Sequence, residues 1–206
     1  MNRQIPRIGA AIVAVTVSLF ALFLILDFSF GSYFVCMLLP IGYIMMAAGL
    51  RHEAGEAGRV PATIGMTFAA IYATLILMVY FAQATSVRLD GLGDEALRVL
   101  DFRRGGLIFN YDLLGYGMMA LSTFFIGLSL RAESRADVWL KRLLMLHGLF
   151  FVSCFVLPMT GMFQSMADGG TSRGGTIALI IWCAYFLPVG VLTWRHFEPD
   201  NHPKGD

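Results

Sequence analysis

Apolar residues occur along this chain in six long stretches that are separated by short polar segments. The stretches cover residues 8–28, 33–50, 61–83, 107–130, 143–164 and 176–194. Each contains about 18–24 residues, and a helix that rises ~1.5 Å per residue needs about 20 of them to cross ~30 Å of hydrocarbon. Strands of a membrane barrel alternate in polarity and are about half as long, so the pattern favours helices. It predicts an all-α, polytopic membrane protein with six transmembrane helices in one bundle.

The composition and the short connections agree with this prediction. Hydrophobic residues make up 57% of the chain and charged residues 14%. The polar segments are too short to hold a separate soluble domain, so we expect residues 1–206 to form a single transmembrane domain in contact with the lipid bilayer. The net charge of +1 gives no reason to expect a nucleic-acid partner.

The distribution of basic residues predicts the orientation of the bundle. With the N-terminus in the cytoplasm, ten basic residues fall on inner segments, namely Arg3, Arg7, Arg51, Arg59, Arg131, Arg135, Lys141, Arg142, Arg195 and Lys204. Five fall on outer segments, namely Arg88, Arg98, Arg103, Arg104 and Arg173. Cytoplasmic segments carry an excess of Lys and Arg, so we expect both termini in the cytoplasm. The first stretch exceeds the apolar region of a signal peptide, and we interpret it as a retained helix.

The longest connection, residues 84–106, lies on the predicted outer side and is called the outer connection below. Residues 94–102 read DEALRVLDF, in which Asp94 and Arg98 are four apart with apolar residues among them. This spacing predicts a short interfacial helix on the outer surface. A solvated linker is the alternative.

Ionisable side chains are rare within the apolar stretches, where each costs ~2.5–3.5 kcal/mol on insertion scales. They are Asp27, Asp112 and His147. Asp112 is about five residues into the fourth stretch and shares a helical face with Tyr116 at 100° per residue. We expect that face to point at a neighbouring helix rather than at lipid.

Polar residues of several stretches are expected at a similar depth near the outer leaflet. Together they form a candidate ligand site of Asp112, Tyr116, Gln83, Asn110, Gln164, Asp27 and Tyr33. The functional interpretation is a small outward-facing pocket that binds a cation, a proton or a polar headgroup. The alternative is that these residues cap helix ends and satisfy one another.

No pattern for a metal or a cofactor is present. His147 and Cys154 lie ~10 Å apart along a helix and cannot share one ion. His52, His196 and His202 are expected in loops or in the tail. We therefore expect His147 to make a hydrogen bond between helices, and we expect neither a metal nor a cofactor.

Two segments resemble parts of small bacterial six-helix membrane proteins. They are VYFAQATSVRL at residues 79–89 and YDLLGYGMMALSTFFIGL at residues 111–128. In that group an aromatic-rich third span ends in a Gln before an Arg, and an Asp–Leu–Gly–Tyr-like string opens the fourth span. The residues that match these motifs are Gln83, Arg88, Asp112 and Tyr116. The resemblance implies a bacterial inner-membrane protein, and it implies no activity.

Three functions are open at this point. The favoured one is non-enzymatic binding or transport of a small ligand or ion at the outer polar cluster, with Asp112 as the key charge. The second is an accessory or interaction subunit of a membrane complex, in which the polar groups only hold the bundle together. The third is a membrane-embedded enzyme that acts on lipid-like substrates with Asp27 and Asp112 as acid and base. A homodimer or another membrane-protein partner is a further expectation, because a six-helix bundle of this size has little interior.

Overall fold

The computed structural model describes residues 1–163 and 173–198, and it confirms the all-α prediction. The structure is 86% helical, and no strand occurs in the described part. Its helices are α1 (Gln4–Ile25), α2 (Ser29–Glu53), α3 (Gly55–Ala82), α4 (Asp94–Leu100), α5 (Leu107–Ser129), α6 (Arg135–His147), α7 (Phe150–Met159) and α8 (Arg173–His196). A π-helical turn at Gln83–Val87 extends α3, and a 3₁₀ turn at Phe102–Arg104 precedes α5.

Six helical segments of the described chain are long and apolar enough to cross a membrane, as the hydropathy pattern predicts. They are α1, α2, α3 with its π-helical turn, α5, α6 together with α7, and most of α8. By the length and character of these helices the chain is a multi-pass membrane protein. The orientation of the termini and the identity of the membrane stay predictions.

The fifth span differs from its predicted bounds. It begins at Arg135, eight residues before the predicted start at residue 143. Ser134 explains the early start, since its hydroxyl accepts from the Asp137 backbone N–H while the Asp137 carboxylate accepts from the Ser134 backbone. Such a capping box satisfies orphan donors at a helix N-terminus. The predicted end at Gln164 lies outside the described residues.

The spanning helices follow one another around a closed ring. α1 packs on α2, α2 on α3, α3 on α5, α5 on α6, α6 on α8, and α8 returns to α1. Large side chains from four of these helices fill the centre, where Tyr43, Tyr72, Met119 and Phe186 have no exposed surface. Three of these four central side chains are aromatic, and aliphatic side chains fill most of the remaining core.

α1 and α2 approach each other closely. A Cβ placed on Gly9 would lie 2.6 Å from the Gly42 carbonyl oxygen and 2.6 Å from the Met45 Cβ. Small residues at such crossings allow backbones of membrane helices to touch. The glycines at these two positions set the separation of the hairpin.

The outer connection contains the helix that the sequence predicts there. α4 has seven residues, and its arginine-rich continuation turns at Gly105, whose φ of 65° is left-handed. The Asp101 carboxylate caps the 3₁₀ turn by accepting from the Arg103 N–H at 2.9 Å. A membrane-surface location of α4 stays a prediction.

Candidate functional site

Asp112 lies inside the ring rather than on its surface. It is the sixth residue of α5, and only 3% of it is exposed. The Tyr80 hydroxyl of α3 lies near its carboxylate. One carboxylate oxygen, Oδ1, is buried and has no hydrogen-bond partner. A buried carboxylate oxygen without a partner is costly, so its charge has to be neutralised.

Two more buried oxygens without partners lie on the same pair of helices. They are the hydroxyls of Tyr116 on α5 and Tyr72 on α3. The two rings are 5.9 Å apart between centroids, and Tyr116 meets the Trp182 ring of α8 edge-on at 5.2 Å. Tyr72 and Tyr80 are eight residues apart on α3, and Asp112 and Tyr116 are four apart on α5. Facing helical stripes therefore supply all of these groups.

The outer connection covers this group of residues. Gln83 donates from Nε2 to the Leu100 carbonyl oxygen at 2.7 Å, and its Oε1 accepts from the Phe102 N–H at 3.0 Å. The Phe102 ring is thereby held 6.1 Å from the Tyr80 ring and 6.4 Å from the Tyr33 ring. Tyr33 and Tyr80 are themselves 5.8 Å apart. Three aromatic rings thus close the outer side of the Asp112 environment.

Four of the predicted site residues come together in this arrangement, which we call the Asp112 cluster. It consists of Tyr33, Tyr72, Tyr80, Gln83, Asp112 and Tyr116, with Phe102 as its cover. Sequence reasoning missed Tyr72, Tyr80 and Phe102. The signal for Tyr80 was present, since it precedes Gln83 by three residues and so shares its helix face.

The other predicted site residues lie elsewhere or outside the description. Asp27 is exposed in the turn between α1 and α2 with a left-handed φ of 51°, which is uncommon for a residue other than glycine. Asn110 is exposed on the first turn of α5. Gln164 falls outside the described residues. A position near a helix end therefore gives these residues a similar depth, but Asp27 and Asn110 do not point into the ring.

His147 makes the interhelical hydrogen bonds that the sequence predicts. The Trp182 indole N–H donates to His147 Nε2 at 3.0 Å. Nδ1 therefore carries the proton of a neutral ring and donates to the Thr123 hydroxyl at 2.8 Å. Thr123 in turn donates to the Ala120 carbonyl oxygen at 2.9 Å. His147 is fully used in joining α5, α6 and α8.

A second polar group lies at the opposite end of the ring and is called the inner network. It consists of Arg3, Glu53, Asp137 and His196. His196 Nδ1 is 2.6 Å from an Asp137 carboxylate oxygen, and Nε2 is 2.9 Å from a Glu53 carboxylate oxygen. The Arg3 Nε is 3.3 Å from the other Glu53 oxygen. The network joins α2, α6 and α8 to the residue that precedes α1.

The placement of His196 corrects the sequence expectation. His196 is the last residue of α8 and is buried, whereas it was expected in a loop or in the tail. Both ring nitrogens face carboxylates, an arrangement that an imidazolium with two donors satisfies. α8 continues beyond its apolar stretch because these partners supply hydrogen bonds for a polar last turn.

The described residues contain no group of three or more His, Cys, Asp or Glu side chains that could hold a metal ion. The tyrosine rings of the Asp112 cluster and the neighbouring Trp182 instead present aromatic faces and edges. A scan against protein-family models, a search of curated proteins and a search of solved structures each found no match to this chain.

Proposed function

We propose that this multi-pass membrane protein binds a small cation, the proton included, at Asp112. The observation that carries the proposal is the Asp112 Oδ1 atom, which is buried and has no hydrogen-bond partner. A carboxylate in that position is stabilised by a bound positive charge or by a proton. Transport follows as the most direct use of such a site, because an ionisable residue inside a helix ring marks a pathway for ions or protons.

The surroundings of Asp112 favour a cation over an anion or a neutral ligand. Asp112 is buried, and no described Arg, Lys or His side chain forms an ion pair with it. The unpartnered hydroxyls of Tyr72 and Tyr116 add two neutral oxygens that can accept from, or coordinate, a cation. Aromatic faces add a weaker attraction for positive charge.

Access to the site would come from the predicted outer side. Phe102 and the Gln83 hydrogen bonds close that side, so a cation larger than a proton requires the outer connection to move. Because two hydrogen bonds and ring contacts hold Phe102 in place, its displacement is a local event that does not require the ring of helices to separate. The proposal therefore assigns the outer connection the role of a cover whose opening controls access.

The test is thermal unfolding of the purified protein in detergent with sodium, potassium, ammonium or tetramethylammonium chloride, and across pH. We expect at least one cation, or lowering the pH, to stabilise the wild type. Asp112→Asn should fold and lose that response, because the amide is isosteric and neutral. Asp27→Asn is the matched control on an exposed carboxylate and should keep the response. An equal response in Asp112→Asn and wild type would refute the proposal.

A second candidate function is an accessory subunit of a membrane complex. It is favoured by the number of polar groups that pair between helices, among them Gln83, His147 and His196. In this case Asp112 would affect stability alone, and changes to an exposed helix face would release a partner in pull-down experiments. The enzyme hypothesis finds less support, because Asp27 is exposed whereas Asp112 is buried beneath Phe102.

A further inference from the structure

A cavity lies beside the start of α1, at the end of the ring opposite to Asp112. Its volume is about 590 Å³. It is lined by Met1, Asn2, Arg3, Gln4, Arg7 and Phe197. Two of these side chains are guanidinium groups, two are amides, and none is a carboxylate. The lining therefore presents mainly hydrogen-bond donors to whatever occupies the cavity, and the charges of the two guanidinium groups are balanced by Glu53 and Glu198.

Arg3 and Arg7 are one helical turn apart, so their side chains lie on the same face of α1. Each guanidinium group forms an ion pair with a glutamate. Arg3 contacts Glu53 at 3.3 Å and the His196 carbonyl oxygen at 3.5 Å. Arg7 contacts Glu198 at 3.4 Å. These long contacts use few of the five N–H donors of each guanidinium. The Nε atoms of both arginines are buried and make no hydrogen bond.

The donor geometry favours a phosphate group as the ligand. Guanidinium groups form paired, charge-assisted hydrogen bonds with phosphate oxygens, and two of them on one helix face can hold one phosphate between them. The Arg7 guanidinium also lies 4.3 Å above the Trp194 ring centroid, which restricts its orientation. Arginines that are already held by such contacts lose less side-chain conformational entropy when they bind a ligand than two mobile arginines would.

The apolar surroundings identify the source of the phosphate. Ile8 follows Arg7 directly in α1, and Val15 lies two turns further along the same stripe of the helix; both are exposed. In a membrane-spanning helix such side chains contact acyl chains. Tryptophan is enriched where a membrane meets water, which is the depth of a lipid headgroup, and Trp194 supports Arg7 at this level.

We propose that the cavity beside Arg3 and Arg7 is a binding site for the phosphate of an anionic phospholipid whose acyl chains lie along Ile8 and Val15. The site is separate from Asp112 and does not depend on the proposed cation binding. Binding of this kind requires that this end of the ring lies in a leaflet that contains anionic lipid. The predicted cytoplasmic orientation agrees with this requirement.

The experiment measures phospholipid binding to the full chain in detergent by native mass spectrometry. The probes are phosphatidylglycerol, phosphatidylcholine with the same acyl chains, and inorganic phosphate. We expect phosphatidylglycerol to bind at least tenfold more tightly than phosphatidylcholine, and inorganic phosphate to bind weakly. Arg7→Gln should reduce this preference about tenfold, the loss of roughly one charge-assisted hydrogen bond.

Two variants control for folding and for general charge. Arg3→Gln also breaks the contact with Glu53, so Arg7→Gln, whose partner Glu198 is more exposed, is the decisive variant. Arg59→Gln removes an exposed positive charge and should leave the preference unchanged. The inference is overturned if the two lipids bind equally, if Arg7→Gln keeps the preference, or if inorganic phosphate binds as tightly as phosphatidylglycerol.

Discussion

His196 is expected to be the most sensitive position at the inner end of the ring. His196→Ala removes the hydrogen-bonding partner of two carboxylates at once, those of Asp137 and Glu53. The Asp137 and His196 side chains are only 5% and 4% exposed, so water cannot replace the lost bond without local opening. In the variant, the buried Asp137 carboxylate therefore keeps its negative charge but loses its His196 partner.

The magnitude follows from what the two carboxylates retain. Breaking a buried ion pair by removing one partner costs ~3–5 kcal/mol. Asp137 keeps its bonds from the Ser134 N–H and hydroxyl, both at 2.8 Å, and Glu53 keeps Arg3. We therefore expect the low end of the range, about 3 kcal/mol. At ~2–4 °C per kcal/mol for a chain of this size, the midpoint of thermal unfolding should fall by about 6–12 °C.

The assay is thermal unfolding in detergent, followed by tryptophan fluorescence. His52→Ala is the matched control, because His52 is exposed at the end of α2 and its bond to Asn2 is 3.3 Å long. It should change the free energy of unfolding by less than about 0.5 kcal/mol. Adding Asp137→Asn to His196→Ala should recover part of the loss, since the stranded charge is removed. Equal midpoints for His196→Ala and His52→Ala, or no recovery in the double variant, would refute the reasoning.

Two further predictions concern the cover of the site and the packing of the ring. Gln83→Leu removes both hydrogen bonds between Gln83 and the outer connection. Hydrogen exchange at the Phe102 amide should therefore accelerate, while the core amides of α3 stay protected. Unchanged exchange at Phe102 would contradict the assigned role of Gln83. Gly9→Ala places a Cβ 2.6 Å from the Gly42 carbonyl oxygen and should destabilise the protein by ~1–3 kcal/mol. Gly93→Ala, where no atom lies within 4 Å, is the control in the same thermal assay and should be near neutral.

The helices could be predicted from the sequence because their signal is local. Twenty apolar residues in a row need no tertiary information to be assigned to a membrane span, and all six spans are present in the structure. The start of α6 at Arg135 was also encoded locally, in Ser134 and Asp137 three residues apart, although hydropathy alone places the start later. The start of α6 thus follows its capping residues rather than its apolar character.

The site could be predicted in part, because residue counting gives depth along a helix but not the neighbour that a side chain meets. Asp112 and Gln83 were found by depth and polarity, and both are buried. Asp27 and Asn110 have a similar predicted depth and are exposed. The inner network was missed because His196 and Glu53 are 143 residues apart in the chain and meet only in the closed ring.

The measurement that tests cation binding at Asp112 most directly is infrared difference spectroscopy of its carboxyl group, with Asp112→Asn as the reference. We expect a band of a neutral, buried carboxylic acid in the wild type that is absent from Asp112→Asn. That band should disappear when the stabilising cation is added, because the bound positive charge stabilises the ionised carboxylate. It should also disappear when the pH is raised, because the carboxyl group then loses its proton. A wild-type spectrum without this band, or a band that neither the cation nor pH changes, would contradict the assignment of Asp112 as the binding group.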